Sequence, residues 1–393
     1  MSKLLIIANI FGYIGFIMLY LQVVFGSRHI FKLFTKNTVK INKLHSSLGK
    51  YAIFAVFLHP LLSMANRLED FAWIITPNWN VQTEAAITLG RIALFLFLAV
   101  WITSAVVRGK IKWHPWKKIH LLAYPLVFLI FPHISQIGTF YEDYAVIRGT
   151  LSVLWILLVV SVIYRLVTWS GLSKQKYTLT DKKLVGTDII LITLTPKNNK
   201  VSSHIGQHFF LQAKRFGSEH PFTIVRNKDG TLHFGIRRVA GFWNEINSKA
   251  IGDIIFVDGP YGVFTREAQN IEPKVVISAG VGVTPFIDLV GNIRQNTTYI
   301  NCNRNIDEAV ERDFIKSKVT KYVDVVNEYA GTPEHSIKVG VLSELVLSEI
   351  LADKKPETPV FVCGSPGFIG AVKKMSSALG TPKDKIYYEE LGF

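Results

Sequence analysis

Five apolar stretches, at about 4 to 25, 44 to 65, 86 to 107, 118 to 137 and 147 to 169, are crowded into the first part of this 393-residue chain. Nothing else narrows the possible folds as much, because a hydrocarbon core of about 30 Å is crossed by about 20 apolar residues in helical form. Five crossings put the chain ends on opposite sides of a membrane. The first connection carries Arg28, Lys32, Lys36, Lys40 and Lys43, and the third carries Arg108, Lys110, Lys112, Lys117 and Lys118. Positive connections stay on the cytoplasmic side. The other two hold Glu69, Asp70 and Glu84, and Glu142 and Asp143, and are expected outside. The fifth crossing then ends near Arg165 and delivers everything after Ser170 to the cytoplasm. Leu4 to Phe25 lacks a basic region before it and a small-residue cleavage site after it, so it reads as a retained span.

The net charge of +15 is explained by those short basic connections, so no nucleic-acid partner is expected. The two cysteines, Cys302 and Cys363, both lie in the polar half, too few for a disulfide framework or a cysteine-ligated metal. From Tyr177 onward, short runs such as Asp188 to Leu194, His208 to Leu211 and Asp253 to Val257 predict antiparallel strands and a small barrel. After Pro273, strands at Lys274 to Ser278, Thr298 to Cys302 and Pro359 to Val362 alternate with helical text, which predicts a parallel α/β unit.

Ionisable side chains inside spans are rare and mark function. His45 and His59 are fourteen positions apart, and His120 and His133 thirteen. At about 1.5 Å per residue each pair spans roughly 20 Å, so each helix offers one imidazole per leaflet. Both helices start at basic connections and run the same way, which levels His45 with His120 and His59 with His133. Heme iron takes two axial imidazoles, so an inner and an outer heme are expected, held by these four residues. Fourteen residues at about 100° return to within roughly 40° of one face, whereas thirteen miss by about 140°. The second helix must depart from ideality, and Pro125 or Pro132 provides the means. Gly49 could admit a porphyrin, and Lys50 or Arg91 could meet its propionates.

In the barrel, His220-Pro221-Phe222-Thr223 is followed by Gly235-Ile236-Arg237-Arg238 and Gly241-Phe242-Trp243. A dinucleotide flavin needs a hydroxyl or amide near N5, a cation for its pyrophosphate and a glycine turn that admits it; Thr223, Arg237 and Gly241 supply these. Gly259-Pro260-Tyr261-Gly262 closes the barrel. Ser278-Ala279-Gly280-Val281-Gly282-Val283-Thr284-Pro285 follows a strand and opens a helix, where backbone N–H groups attract a pyrophosphate.

Together with Val362-Cys363-Gly364-Ser365-Pro366, these motifs and the paired membrane histidines resemble the NADPH oxidase and ferric reductase superfamily over nearly the whole chain. The resemblance implies a multi-domain membrane protein. Residues 1–170 would form an α-helical transmembrane heme bundle with two b-type hemes. A ferredoxin-NADP reductase-like module would follow, with an antiparallel β-barrel for FAD over 171–272 and a parallel α/β domain for NADPH or NADH over 273–393. It also implies that His220 to Thr223 hold the flavin, Ile236 and Arg237 its pyrophosphate, and Gly280, Gly282, Thr284 and Pro285 the coenzyme phosphates. Cys363-Gly364 would mark the hydride-transfer region, and Phe393 would stack on the flavin. Arg304, after the second α/β strand, could take a 2′-phosphate and favour NADPH. Next to the family's eukaryotic oxidases the sequence has no recognisable first span and no calcium-binding segment, and so looks like a compact bacterial member.

The expected path is hydride from NAD(P)H to FAD, then single electrons outward, a direction favoured by about 2.3 kcal/mol per 100 mV when the interior is negative. Oxygen, reduced to superoxide, is the preferred acceptor, with a ferric chelate as the alternative. A heme- and flavin-containing plasma-membrane protein without coenzyme turnover is the rival of a different class.

Overall fold

The computed structural model describes residues 2–27, 30, 38–185, 189–204, 206–238, 241–262, 264–268, 271–291, 295–332 and 334–389. Two compact units divide the chain, Met1–Leu166 and Val167–Phe393. Among the described residues, five helices are long and apolar enough to cross a membrane: Lys3–Phe25, Ile41–Arg67, Gln82–Val106, Pro115–Ile137 and Ala145–Trp169.

In the first unit, α1 (Lys3–Phe25), α2 (Thr38–Arg67), α3 (Gln82–Trp101), α5 (Ala123–Ile137) and α6 (Ala145–Trp169) share one apolar cluster. Leu19 and Val23 of α1, Ala52 of α2, Ala93 and Phe97 of α3, Leu126 and Val127 of α5 and Leu158 of α6 meet there. The π-helical turn Ile102–Val106 extends α3, and the short helix α4 (Trp113–His120) precedes α5. The fourth span is therefore broken. Its break falls at Leu121–Leu122, where Leu122 N–H donates to Ile119 O at 2.9 Å and Tyr124 N–H to Leu121 O at 3.1 Å. These three-residue closures tighten the turn. Pro125 occupies the first turn of α5, where its missing N–H costs little, and Pro132 lies inside the helix.

The second unit opens with a closed barrel in the order β1-β2-β5-β4-β3-β6. Its strands are β1 (Gln175–Val185), β2 (Ile189–Pro196), β3 (His208–Gln212), β4 (His220–Lys228), β5 (Thr231–Arg237) and β6 (Ile254–Tyr261), with α7 (Gly241–Asn247) between the last two. Inward residues such as Tyr177, Leu194, Phe209, Phe234 and Ile255 fill it. Asp188 of the expected second strand lies outside the described residues.

A parallel sheet follows: β7 (Lys274–Ala279), β8 (Gln295–Asn303), β9 (Val319–Val326), β10 (Ile337–Val339), β11 (Val360–Cys363) and β12 (Ile386–Glu389). Its order is β10-β9-β8-β7-β11-β12. The winding reverses beside β7, which has β8 on one side and β11 on the other. That reversal leaves a crevice at the carboxyl ends of β7 and β11, the place where open α/β sheets bind ligands. The expected strands are three of these six.

A buried polar row crosses the sheet. Tyr299 hydroxyl donates to Ser278 Oγ (3.1 Å), Asn301 Nδ2 to Tyr322 hydroxyl (3.0 Å), and Tyr322 hydroxyl to Asp324 Oδ1 (2.9 Å). Asp324, fully buried, also accepts from Arg312 Nε at 2.7 Å. Removing one partner of such a pair strands the other. Asp324→Ala is expected to destabilise the second unit by about 3 kcal/mol, read as a lowered midpoint of thermal unfolding.

Candidate electron-transfer site

The four span histidines form two pairs. The ring centroids of His45 and His120 lie 6.0 Å apart, and so do those of His59 and His133. Imidazole nitrogen binds metal at about 2 Å, so either gap accommodates one ion between two rings. The remaining nitrogens are engaged. His59 Nδ1 lies 2.8 Å from Ala8 O, His133 Nδ1 3.0 Å from Ala86 O, and His45 Nδ1 3.1 Å from Gln22 O. A carbonyl can only accept, so in these three Nδ1 carries the proton and Nε2 keeps its lone pair. Metal-binding histidines are held in this way. His120 Nδ1 instead meets Ser104 Oγ at 3.1 Å, and that hydroxyl also accepts from Trp116 Nε1 at 3.1 Å. The Trp116 ring stacks on His120, 4.7 Å away.

Glycines make two of these approaches possible. Each of the three carbonyls belongs to a residue four positions before a glycine: Ala8 before Gly12, Gln22 before Gly26 and Ala86 before Gly90. A Cβ at Gly12 would lie 2.9 Å from His59 Nδ1, and one at Gly90 2.5 Å from His133 Nδ1. At Gly26 the distance to His45 Cε1 would be 3.5 Å. Gly49 faces Gln22, whose Nε2 donates to His45 O at 2.8 Å.

A cavity of about 330 Å³ is lined by His59 and His133 together with Phe16, Phe97, Arg91 and Trp73. Arg91 is 8% exposed, and its Nε has no hydrogen-bond partner among the described residues. The Arg91 and Arg67 guanidiniums sit 4.8 and 5.4 Å from the Trp73 ring centroid. Glu84 lies 3.4 Å from Arg67 and 4.0 Å from Arg91. Apolar walls with cations at one end fit a flat macrocycle bearing carboxylates. Sequence reasoning missed Trp73, Arg67, Gln22 and Ser104; a glutamine inside an apolar span was the available signal for Gln22.

In the second unit, His220, Pro221, Phe222 and Thr223 begin β4. Phe242 of α7 packs on His220 (4.8 Å between centroids) and Phe222 (5.1 Å), so the Gly241-Phe242-Trp243 segment buttresses this strand. Gly241 meets nothing that would block a side chain. Thr223 is buried, and its hydroxyl is unpartnered among the described residues. A buried orphan hydroxyl implies a partner, as the expected flavin edge would provide.

Ile236 is buried in the barrel core and Arg237 ends β5. A Cβ at Gly280, whose φ is +53°, would lie 2.9 Å from Arg237 Nη1, so the barrel cation reaches the first turn of the parallel sheet. A Cβ at Gly282 would lie 2.3 Å from Cys363 O. The glycine turn therefore packs directly on the Cys363-Gly364 backbone at the crevice. Gly280 to Val283 form a 3-10 turn, and the helix α8 (Thr284–Gly291) starts after it. The Thr284 hydroxyl donates to Val281 O at 2.8 Å and so caps this turn, with Pro285 buried behind it. Arg304 is exposed just after β8. The Cys363 thiol is pushed up by burial and by the charge of Glu389, which keeps it protonated. Gly259 passes against the Phe209 ring, where a Cβ would be 2.3 Å away, and Gly262, with φ +94°, follows β6. Phe393 lies outside the described residues.

Residues 11–131 match the family described as ferric reductase like transmembrane component. A flavohemoprotein of Pseudomonas putida is 28% identical over 193 residues, 47% of this chain and 46% of that protein. NADH-cytochrome b5 reductase 1 of Meyerozyma guilliermondii is 26% identical over 227 residues, 53% of this chain and 80% of that protein. The chain spans half or less of the length of the first curated relatives it matches. Among solved structures, a flavohemoglobin from Malassezia yamatoensis shares the fold at 18% identity and a TM-score of 0.50, over 84% of this chain and 92% of that one. The class is thus a helical, apolar N-terminal unit followed by a ferredoxin reductase-like barrel and parallel sheet. Residues 11–131 thus resemble a ferric reductase-like transmembrane component, and the reductase-like module follows them in the chain.

Gly90→Ala is expected to push His133 off its carbonyl. If His59 and His133 hold a heme, the purified variant should carry about half the wild-type heme by pyridine hemochrome assay, while the His45–His120 pair keeps its share.

Proposed function

We propose that this chain is a multi-pass plasma-membrane oxidoreductase. It takes electrons from cytoplasmic NADPH or NADH through FAD and two b-type hemes to oxygen outside, giving superoxide. In this reading 1–170 is the heme bundle, 171–272 the FAD domain and 273–393 the coenzyme domain. The observation that carries it is the duplicated imidazole pair, each with a 6.0 Å ring separation, inside a ferric reductase-like helical unit. FAD exchanges a two-electron hydride for the single electrons that heme iron accepts.

The residues themselves have separable tasks. His45 with His120, and His59 with His133, would hold the heme irons through ring nitrogens, while the Nδ1 contacts fix the rings. Thr223 offers its hydroxyl to the flavin, and Arg237 offers a cation to the flavin pyrophosphate. Gly280 and Gly282 open the backbone turn to the coenzyme phosphates, with Cys363-Gly364 at the hydride-transfer end, Phe393 over the flavin and Arg304 toward a 2′-phosphate.

A ferric chelate is the second reading of the acceptor, favoured by the Arg67–Trp73–Arg91 cluster, where one carboxylate, Glu84, faces two guanidiniums. The excess cation suits an anionic chelate. Anaerobic NADPH should reduce flavin and then both hemes of the purified protein. Admitting oxygen should reoxidise them and reduce cytochrome c in a manner that superoxide dismutase suppresses. Reoxidation by ferric chelate alone would favour the second acceptor, and coenzyme oxidation with no change in the heme bands would end the proposal. Replacing His59 or His133 should remove one heme and replacing His45 or His120 the other; unchanged heme content in all four variants would also refute it.

A further inference from the structure

Three buried polar atoms of the second unit have no hydrogen-bond partner among the described residues and stand in neighbouring positions: Thr223 Oγ1, His208 Nδ1 and Glu389 Oε2. The strand registers connect them. His208 of β3 is directly opposite Thr223 of β4 and Tyr261 of β6, and Glu389 at the end of β12 is level with Cys363 of β11. The remaining link runs between barrel and parallel sheet, where His208 Nδ1 lies 3.5 Å from Glu389 Oε1. Both side chains are only 6% exposed. The Tyr261 ring stacks beside His208, its centroid 5.9 Å away. Gly262 is required here, since a Cβ would stand 3.1 Å from His208 Nδ1 and 3.2 Å from Glu389 Oε1.

A carboxylate buried this deeply needs a fixed partner, because desolvation makes an unpaired one costly. His208 Nδ1, 3.5 Å away, is within contact distance of it and forms an ion pair with it when the ring is protonated. We propose that His208 is a positioning residue for hydride transfer: it holds the Glu389 carboxylate at the Cys363 end of the sheet and thereby fixes the gap between that end and Thr223 of the barrel. The inference rests on reading this unit as an FAD reductase driven by NAD(P)H. It gives the β3 histidine a task that neither the flavin motif nor the glycine turn performs. Reacting groups lose rate steeply when displaced by about an ångström, so a loosened seam should slow the transfer and leave coenzyme affinity intact.

The test uses full-length, FAD-loaded protein with His208→Leu, His208→Asn, Glu389→Gln and the double variant His208→Leu/Glu389→Gln. Anaerobic stopped-flow reduction with NADH and with NADPH reads the flavin directly. His208→Leu should lower the saturating rate about tenfold with an unchanged half-saturation concentration. The double variant should be no slower than Glu389→Gln alone, as expected of residues acting through one contact. His208→Asn, whose amide nitrogen stands where Nδ1 does, should recover part of the rate. A wild-type rate in His208→Leu, or two effects that multiply, would overturn the proposal. The urea midpoint for flavin release gives a second cycle that needs no turnover, and additivity there would also overturn it. If neither coenzyme bleaches the wild-type flavin, the reductase reading fails, and the urea cycle still decides whether the two residues act together.

Discussion

The hydrogen bond from an imidazole to a helix carbonyl is the contact on which the membrane unit depends. In an apolar bundle a polar ring must find a partner or lose several kcal/mol, yet a helix satisfies its own carbonyls and offers few. The second lone pair of a carbonyl is the resource left over. Ala8, Gln22 and Ala86 use it, and Ala8 and Ala86 are reachable because the residue one turn on is a glycine. The imidazole gains orientation and a fixed proton on Nδ1, and the opposite nitrogen stays free. Helix packing, glycine placement and ligand chemistry are therefore one constraint. Moving α1 along α2 would break both of its carbonyl contacts together.

Much of this was legible in the sequence. The five spans, the two depth-matched histidine pairs and the need for a break in the fourth span follow from hydropathy and helical phase alone. The break falls at Leu121–Leu122, one turn before Pro125: the proline has no N–H to give the Leu121 carbonyl, which accepts from Tyr124 N–H instead. Pro132 lies inside α5, which runs on through it, so a proline marks a neighbourhood and not a position. The glycine pattern was also available. Gly12 and Gly26 are fourteen apart, like His45 and His59, but the match acquires meaning only once α1 is known to lie antiparallel against α2.

In the second unit, motifs at strand ends were readable and contacts between strands were not. Resemblance links the glycine turn after β7 and the Cys363-Gly364 backbone to one coenzyme, and the packing of Gly282 on Cys363 O brings the two segments together at one crevice. Thr284 shows the limit of such assignment, since its hydroxyl closes the turn from inside. The Glu389–His208 contact joins residues far apart in the chain, one in each half of the module. No local spacing encodes it. Short-range pattern reports what a turn can do, and only the closed barrel and the reversed sheet order decide which turns face each other.

The two ends of the membrane unit are built differently. At the His45–His120 pair one ring leans on a hydroxyl that also serves Trp116, and Arg108 lies over that tryptophan at 4.4 Å. At the His59–His133 pair both rings lean on backbone carbonyls, which cannot donate, and the polar groups are gathered instead at the Arg67–Trp73–Arg91–Glu84 cluster. A carbonyl is the firmer acceptor because it has no hydrogen to misdirect. Greater electron donation into the His59–His133 rings would lower the potential of a metal held there relative to one at the His45–His120 site, against an outward flow of electrons. The cationic cluster beside the same cavity acts in the opposite sense, since nearby positive charge favours the reduced, more negative state. Cations stand near both pairs, Arg108 and Arg165 beside His120 and Arg67 and Arg91 beside the outer cavity, so what separates the two sites is the acceptor behind each ring and not the presence of positive charge.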